Sequence, residues 1–146
     1  MANREQNWDE CLASFASGSI RIDVAKARSL LDTAKARQAF LEPQEITESS
    51  ANFLFENYYT CILEIMHAIV LSEGFNVSNH ICLGFYLRDI IGDPSLYREF
   101  DGCRYKRNSL TYYGKRMDFE VAKEAVEKSK GCLSRLYILL DEKLKR

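Results

Sequence analysis

The chain has 146 residues, enough for one compact core and too few for two well-filled ones. Its 47% apolar and 28% charged residues are ordinary globular composition and exclude a disordered chain. Twenty Lys and Arg against 21 Asp and Glu leave a formal net charge of -1, so any polyanion contact must come from a local patch.

The first ten residues are polar and carry both charge signs, so no secretory signal is expected. No apolar run approaches the roughly 18 residues that span a bilayer. A cytoplasmic protein without a membrane segment is the reading. Cys11, Cys61, Cys82, Cys103 and Cys132 are odd in number and widely spaced. They read as buried, reduced thiols and not as a disulfide framework. Neither they nor His67 and His80 form a pair with metal-ligand spacing, so no zinc site and no metal or cofactor are expected.

Helical periodicity predicts an all-α, up-and-down bundle of four to five main helices plus a short N-terminal helix. The whole chain, 1–146, reads as one domain, with 1–18 as an N-terminal extension and 19–145 as the bundle. The short helix covers about Gln6 to Phe15, with Trp8, Leu12 and Phe15 on one face. Ser19 can cap a second helix whose stripe is Ile20, Val24, Ala27, Leu31 and Ala34. It ends before Pro43.

A third helix, from Ser49 or Ser50 to Ser72, is apolar nearly all round, which predicts a central position. Gly74 stops it. Ser78 can cap a fourth helix carrying Ile81, Phe85 and Ile90 or Ile91, ended by Gly92. Asp93-Pro94 restarts the chain as a fifth helix, because Asp caps free N–H groups and Pro fits the first helical position. That helix runs to Tyr112 or Tyr113, with room for a kink at Asp101-Gly102, and Gly114 suits a left-handed cap. Asp118 caps a last helix, Phe119 to Leu144. No segment alternates with period two, so no sheet is expected.

The fifth helix carries the residues whose chemistry points to function. Leu96, Phe100, Cys103 and Leu110 form an apolar stripe, and Arg107 occupies a place within it. A guanidinium there is costly unless solvated or paired, for example with Glu56 or Glu64. Local rule violations of this kind concentrate at functional sites. Around it lie Arg104, Lys106, Lys115 and Arg116, interleaved with Tyr105, Tyr112 and Tyr113. Cations meet phosphates and aromatic rings stack on unpaired bases. A solvated basic face would look similar in sequence. His80, in the first turn of the fourth helix, could cap, pair with an acid or line a cleft. There is no nucleophile elbow for a Ser-His-Asp hydrolase and no glycine-rich phosphate loop.

Three stretches together resemble the HEPN (higher eukaryotes and prokaryotes nucleotide-binding) domain, especially its small stand-alone members. They are Asn57-Tyr58-Tyr59 through Gly74-Phe75, then Asn79-His80 with Leu87, and then Arg107-Asn108-Ser109-Leu110-Thr111-Tyr112-Tyr113-Gly114-Lys115 with the long helix after it. The resemblance spans about Ile20 to Leu144. It implies a homodimer whose cleft joins the motif residues of two protomers. Many members are metal-independent RNases with the motif Arg, then Asn, Asp or His, three residues, then His. Here Arg107 and Asn108 match, and Tyr112 replaces the His.

A phenol, with a pKa of about 10, is a poor general base near pH 7. The expectation is therefore RNA or nucleotide binding at a dimer cleft without efficient cleavage. Arg104, Lys106, Arg107, Asn108, Tyr112, Tyr113 and His80 would line the site, and Arg107 and Tyr112 are the catalytic candidates. The alternatives are an active endoribonuclease toxin of a toxin–antitoxin pair, or the non-catalytic partner of a minimal nucleotidyltransferase.

Overall fold

The computed structural model describes residues 4–145, and the fold is an all-α bundle with one very small sheet. In chain order the elements are α1 (Trp8–Ala13), β1 (Ser17–Ser19), α2 (Val24–Leu41), α3 (Ala51–Ser72) and β2 (Phe75–Val77). Then come α4 (His80–Phe85), a π-helical continuation (Tyr86–Ile91), α5 (Pro94–Tyr112) and α6 (Phe119–Leu144). Among the described residues no helix is long and apolar enough to cross a membrane.

The central position predicted for α3 is observed. It packs most extensively against α2 on one side and α6 on the other. Phe55, Ile62, Ile65, Met66 and Ile69 are fully buried. Thr47 and Ser50 exchange hydrogen bonds in front of it: Thr47 N–H donates to Ser50 Oγ at 2.8 Å, and Ser50 N–H donates to Thr47 Oγ1 at 3.2 Å. Such reciprocal pairs satisfy donors that a helix start leaves free. Asp93 and Asp118 cap α5 and α6 as expected, accepting from Leu96 N–H and Val121 N–H, each at 3.0 Å. Helix α5 is continuous through Gly102.

Four expectations change. The second helix begins at Val24 with Asp23 as its cap, four residues after Ser19. Ile20 is drawn instead into backbone pairing with Gly74, so Ile20 and Val24 are exposed and the buried stripe is Ala27, Ala34 and Leu41. The sheet was not expected: β1 pairs antiparallel with β2, Ser17 opposite Val77 and Ser19 opposite Phe75. Three-residue strands are too short to show an alternation. Gly74 makes the connection possible, with φ +90° and only 3.2 Å between a Cβ built there and the Ile20 carbonyl.

The fourth helix is capped by Asn79, whose side chain accepts from Cys82 N–H, while the Ser78 hydroxyl donates to the Ala16 carbonyl. Its π-helical continuation turns Tyr86 and Leu87 inward and leaves Ile90 exposed. A widened turn shifts the phase of the apolar face, which a 3.6-residue period cannot anticipate.

The last change concerns the cysteines. Cys11 of α1 and Cys82 of α4 form a disulfide across 71 residues of sequence. Cys61, Cys103 and Cys132 are buried free thiols, as expected. The bond fixes the N-terminal segment to the bundle. Trp8 is buried there too, with its ring edge against Phe75 and Tyr86. Phe15, expected beside Trp8, ends that segment at φ +64° and is exposed. Trp8, Cys11 and Ser17 of this segment are therefore buried against the bundle, while most of its other residues stay at the surface.

Candidate functional site

Helix α5 carries the candidate residues, and its wheel separates them. Arg104, Asn108 and Tyr112 lie on one side, turned toward the start of α4, and Arg107 lies next to them against Tyr59 and Tyr112. Lys106 lies on the opposite side, against α6. Leu96, Phe100 and Cys103 are buried as the stripe predicted, whereas Arg107 and Leu110 are half-buried.

Arg107 has no carboxylate partner among the described residues. The acids proposed for it do not serve: Glu64 is bound by Arg37 at 2.9 Å, and among the described residues no ion pair involves Glu56. Aromatic rings take their place. The guanidinium lies 5.8 Å from the centroid of Tyr59 and 5.9 Å from that of Tyr112. Ring quadrupoles attract a cation at this distance without neutralising it. The charge thus remains available to an anion. Arg104, by contrast, is held by Asp101 at 2.7 Å.

Tyr59 links this cation to the histidine. Its hydroxyl is 3.2 Å from His80 Nδ1, and its ring stacks on Phe100. Burial raises the Tyr59 phenol well above its ordinary range, against the opposing pull of Arg104 and Arg107. His80 is pushed down to about 4, first by burial and then by the positive charge of Arg107, His67 and Arg104. Its imidazole is therefore neutral near pH 7 and keeps one nitrogen free of a proton.

Ser78, Asn79 and His80 at the start of α4 face Arg104, Asn108 and Tyr112 of α5 across a groove of about 360 Å³. The N-terminal segment completes its wall with Arg4 and Glu5. Glu5 accepts a hydrogen bond from the Ser14 hydroxyl at 2.6 Å, which lowers its pKa. A second depression of about 460 Å³ shares Arg4, Arg104, Asn108 and Tyr112 and extends the surface to Tyr105, Tyr113 and Lys115. Tyr105, Tyr112 and Tyr113 are all exposed. The surface thus offers cations, a neutral imidazole, an amide and uncovered rings, a set that can bind a phosphate and stack a base.

Of the residues singled out in the sequence, His80, Arg104, Asn108, Tyr112 and Tyr113 line this surface, Arg107 lies beside it against Tyr59 and Tyr112, and Lys106 lies on the other flank of α5. Four further contributors were missed in the sequence. Tyr59 looks like one more core aromatic. Arg4 and Glu5 look like part of a free terminus. Asn52 is buried and grips the loop after α5: its amide donates to the Met117 carbonyl at 2.9 Å, and its carbonyl accepts from Met117 N–H at 2.9 Å. A buried amide within an apolar helix was the available signal for Asn52. Compared with protein-family models, curated proteins and solved structures, the chain has no significant match.

Proposed function

We propose that this is a HEPN-like protein that binds RNA or a nucleotide at the α4–α5 groove, without efficient cleavage. Arg107 carries the reading: a cation without a carboxylate partner among the described residues, framed by Tyr59 and Tyr112 beside His80. Such a cation attracts phosphate, and the exposed Tyr105, Tyr112 and Tyr113 suit unpaired bases better than a duplex. In this reading two copies join around Arg107 and Asn108, and Tyr112 shapes the cleft in place of the motif histidine. The protein then serves alone or beside a nucleotidyltransferase.

The test is titration of single-stranded RNA and of ATP with the wild type and Arg107→Ala, at two salt concentrations. Binding should weaken by about tenfold or more in the variant and fall with salt. Equal, salt-insensitive or absent binding in both proteins would exclude the reading.

A second reading rests on His80. A neutral imidazole beside an arginine could accept a proton from an RNA 2′-hydroxyl, giving a metal-independent endoribonuclease. Its low basicity makes it a weak base, so binding without efficient cleavage is preferred. RNA cleavage by the wild type that is lost in His80→Ala would reverse that preference.

A further inference from the structure

The hydroxyl of Tyr59 bears on which proton the His80 ring carries. Tyr59 belongs to the central helix α3 and is 1% exposed, so water does not satisfy its phenol. Burial raises its pKa, and the proton stays on the oxygen at neutral pH. A phenol has one donor, and a buried O–H left without an acceptor costs stability. Among the described residues this hydroxyl makes one hydrogen bond, to His80 Nδ1 at 3.2 Å.

The two directions of that bond are not equivalent. If Nδ1–H donated, the phenol proton would be left in the interior without an acceptor. If the phenol donates, the O–H and Nδ1 satisfy each other. The nearby cations favour the second direction. Arg107 lies over the Tyr59 ring, and Arg104 and Arg107 both draw the phenol toward ionisation, which makes it the stronger donor. Burial, and then Arg107, His67 and Arg104, keep the imidazole from taking a second proton.

A neutral imidazole that accepts at Nδ1 carries its one proton on Nε2. Among the described residues no hydrogen bond reaches Nε2. His80 is half-buried and lines the α4–α5 groove with Asn79, Arg104 and Asn108. Its Nδ1 is taken by α3, which leaves the Nε2 edge for the groove. Arg104 meets Asp101 through Nε, so its terminal nitrogens remain for the same groove.

From the single hydrogen bond of a buried phenol and the open nitrogen across the ring, we infer that Tyr59 is a positioning residue that fixes His80 as its Nε2–H tautomer. The imidazole then serves the groove as a hydrogen-bond donor to a phosphate oxygen and presents no lone pair there to act as a base. The phosphate half of this inference rests on the function proposed above; the tautomer does not. A 2′-hydroxyl in the groove would meet an N–H where it needs an acceptor. Binding without efficient cleavage thus follows from the Tyr59 hydroxyl as well as from the low basicity of His80.

Two-bond proton–nitrogen correlation NMR of the nitrogen-15-labelled full chain tests this. His80→Gln separates the His80 resonances from those of His67. Near pH 7 the wild type should show Nδ1 unprotonated and Nε2 protonated. Tyr59→Phe keeps a ring against Phe100 and beneath Arg107 and removes only the hydroxyl. Both His80 tautomers should then be populated. On titration with ATP the Nε2 resonance of the wild type should move and Nδ1 should stay near its free position. ATP affinity should fall about fivefold in His80→Ala and about twofold in Tyr59→Phe, where only part of the rings present the wrong nitrogen.

A wild-type His80 protonated on Nδ1 would overturn the inference, as would a tautomer that Tyr59→Phe leaves unchanged. ATP binding that does not move Nε2 would overturn the donor role and leave the proposed function standing. The expected tautomer with no binding of ATP or single-stranded RNA would overturn the proposed function and, with it, the phosphate half, while supporting the role of Tyr59.

Discussion

Helices α3 and α5 are of similar length and meet around Phe100 and Tyr59, yet they are used differently. In α3, 14 of 22 residues are buried; in α5, 3 of 19 are. Helix α3 lies between α2 and α6, so nearly every side of it must be apolar. Helix α5 contacts the bundle along one narrow stripe and opens a groove on each flank. The packing that leaves α3 no freedom gives α5 room for unpaired cations and exposed rings. Substitutions in α3 should therefore register as stability, and those on the flanks of α5 as binding.

The largest expected effect is on the α3 side. Ile62→Ala, at a fully buried position, should lower unfolding stability by about 2–5 kcal/mol in chemical denaturation. A loss of the same size in Arg107→Ala would break the contrast between the helices.

Next comes the bond that holds the N-terminal segment beside α4. Reducing Cys11–Cys82, or replacing both by Ser, should cost about 2–4 kcal/mol, because the bond closes a loop of 71 residues' separation. Thermal melting with and without dithiothreitol reads this. The double-serine variant should not respond to the reductant.

Asn52→Ala removes both hydrogen bonds that hold Met117 and should cost about 1–2 kcal/mol. If it also weakens RNA binding, the loop after α5 helps to shape the groove. If affinity is unchanged, the role of Asn52 is confined to the fold.

A smaller effect depends on pH. Folded His80 stays neutral down to about pH 4, whereas the unfolded chain takes up that proton near 6.5. Between these values the unfolded state binds more protons, so stability rises with pH and then levels off above about 6.5. The half-exposed ring limits the gain to about 1 kcal/mol. His67 is lowered in the same direction by burial and by Lys26. Comparison of His80→Gln with the wild type isolates the His80 share as a flatter pH profile. The smallest stability change is expected for Arg107→Ala, within about 0.5 kcal/mol, since it breaks no ion pair among the described residues.

Much of this architecture was legible in the sequence. Asp93-Pro94 and Asp118 marked helix starts because capping depends on the next three residues alone. The all-round apolar pattern of α3 announced its central place, and the misplaced charge of Arg107 in an apolar stripe directed attention to the α4–α5 side. These signals are local: a period, a cap or a violation of the period can be read within about twenty residues.

Only the tertiary structure decided the rest. The partners of Arg107 are Tyr59, 48 positions earlier, and Tyr112, one turn later, where a carboxylate such as Glu56 or Glu64 was one of the options the sequence left open. Cys11 reaches Cys82 because α1 packs on α4, which no cysteine spacing encodes. Lys106 and Arg104, two residues apart, serve opposite flanks because two positions on a helix point away from each other. The periodicity therefore determined which residues lie along α5, and the packing of α4, α6 and the N-terminal segment decided which groove each one enters.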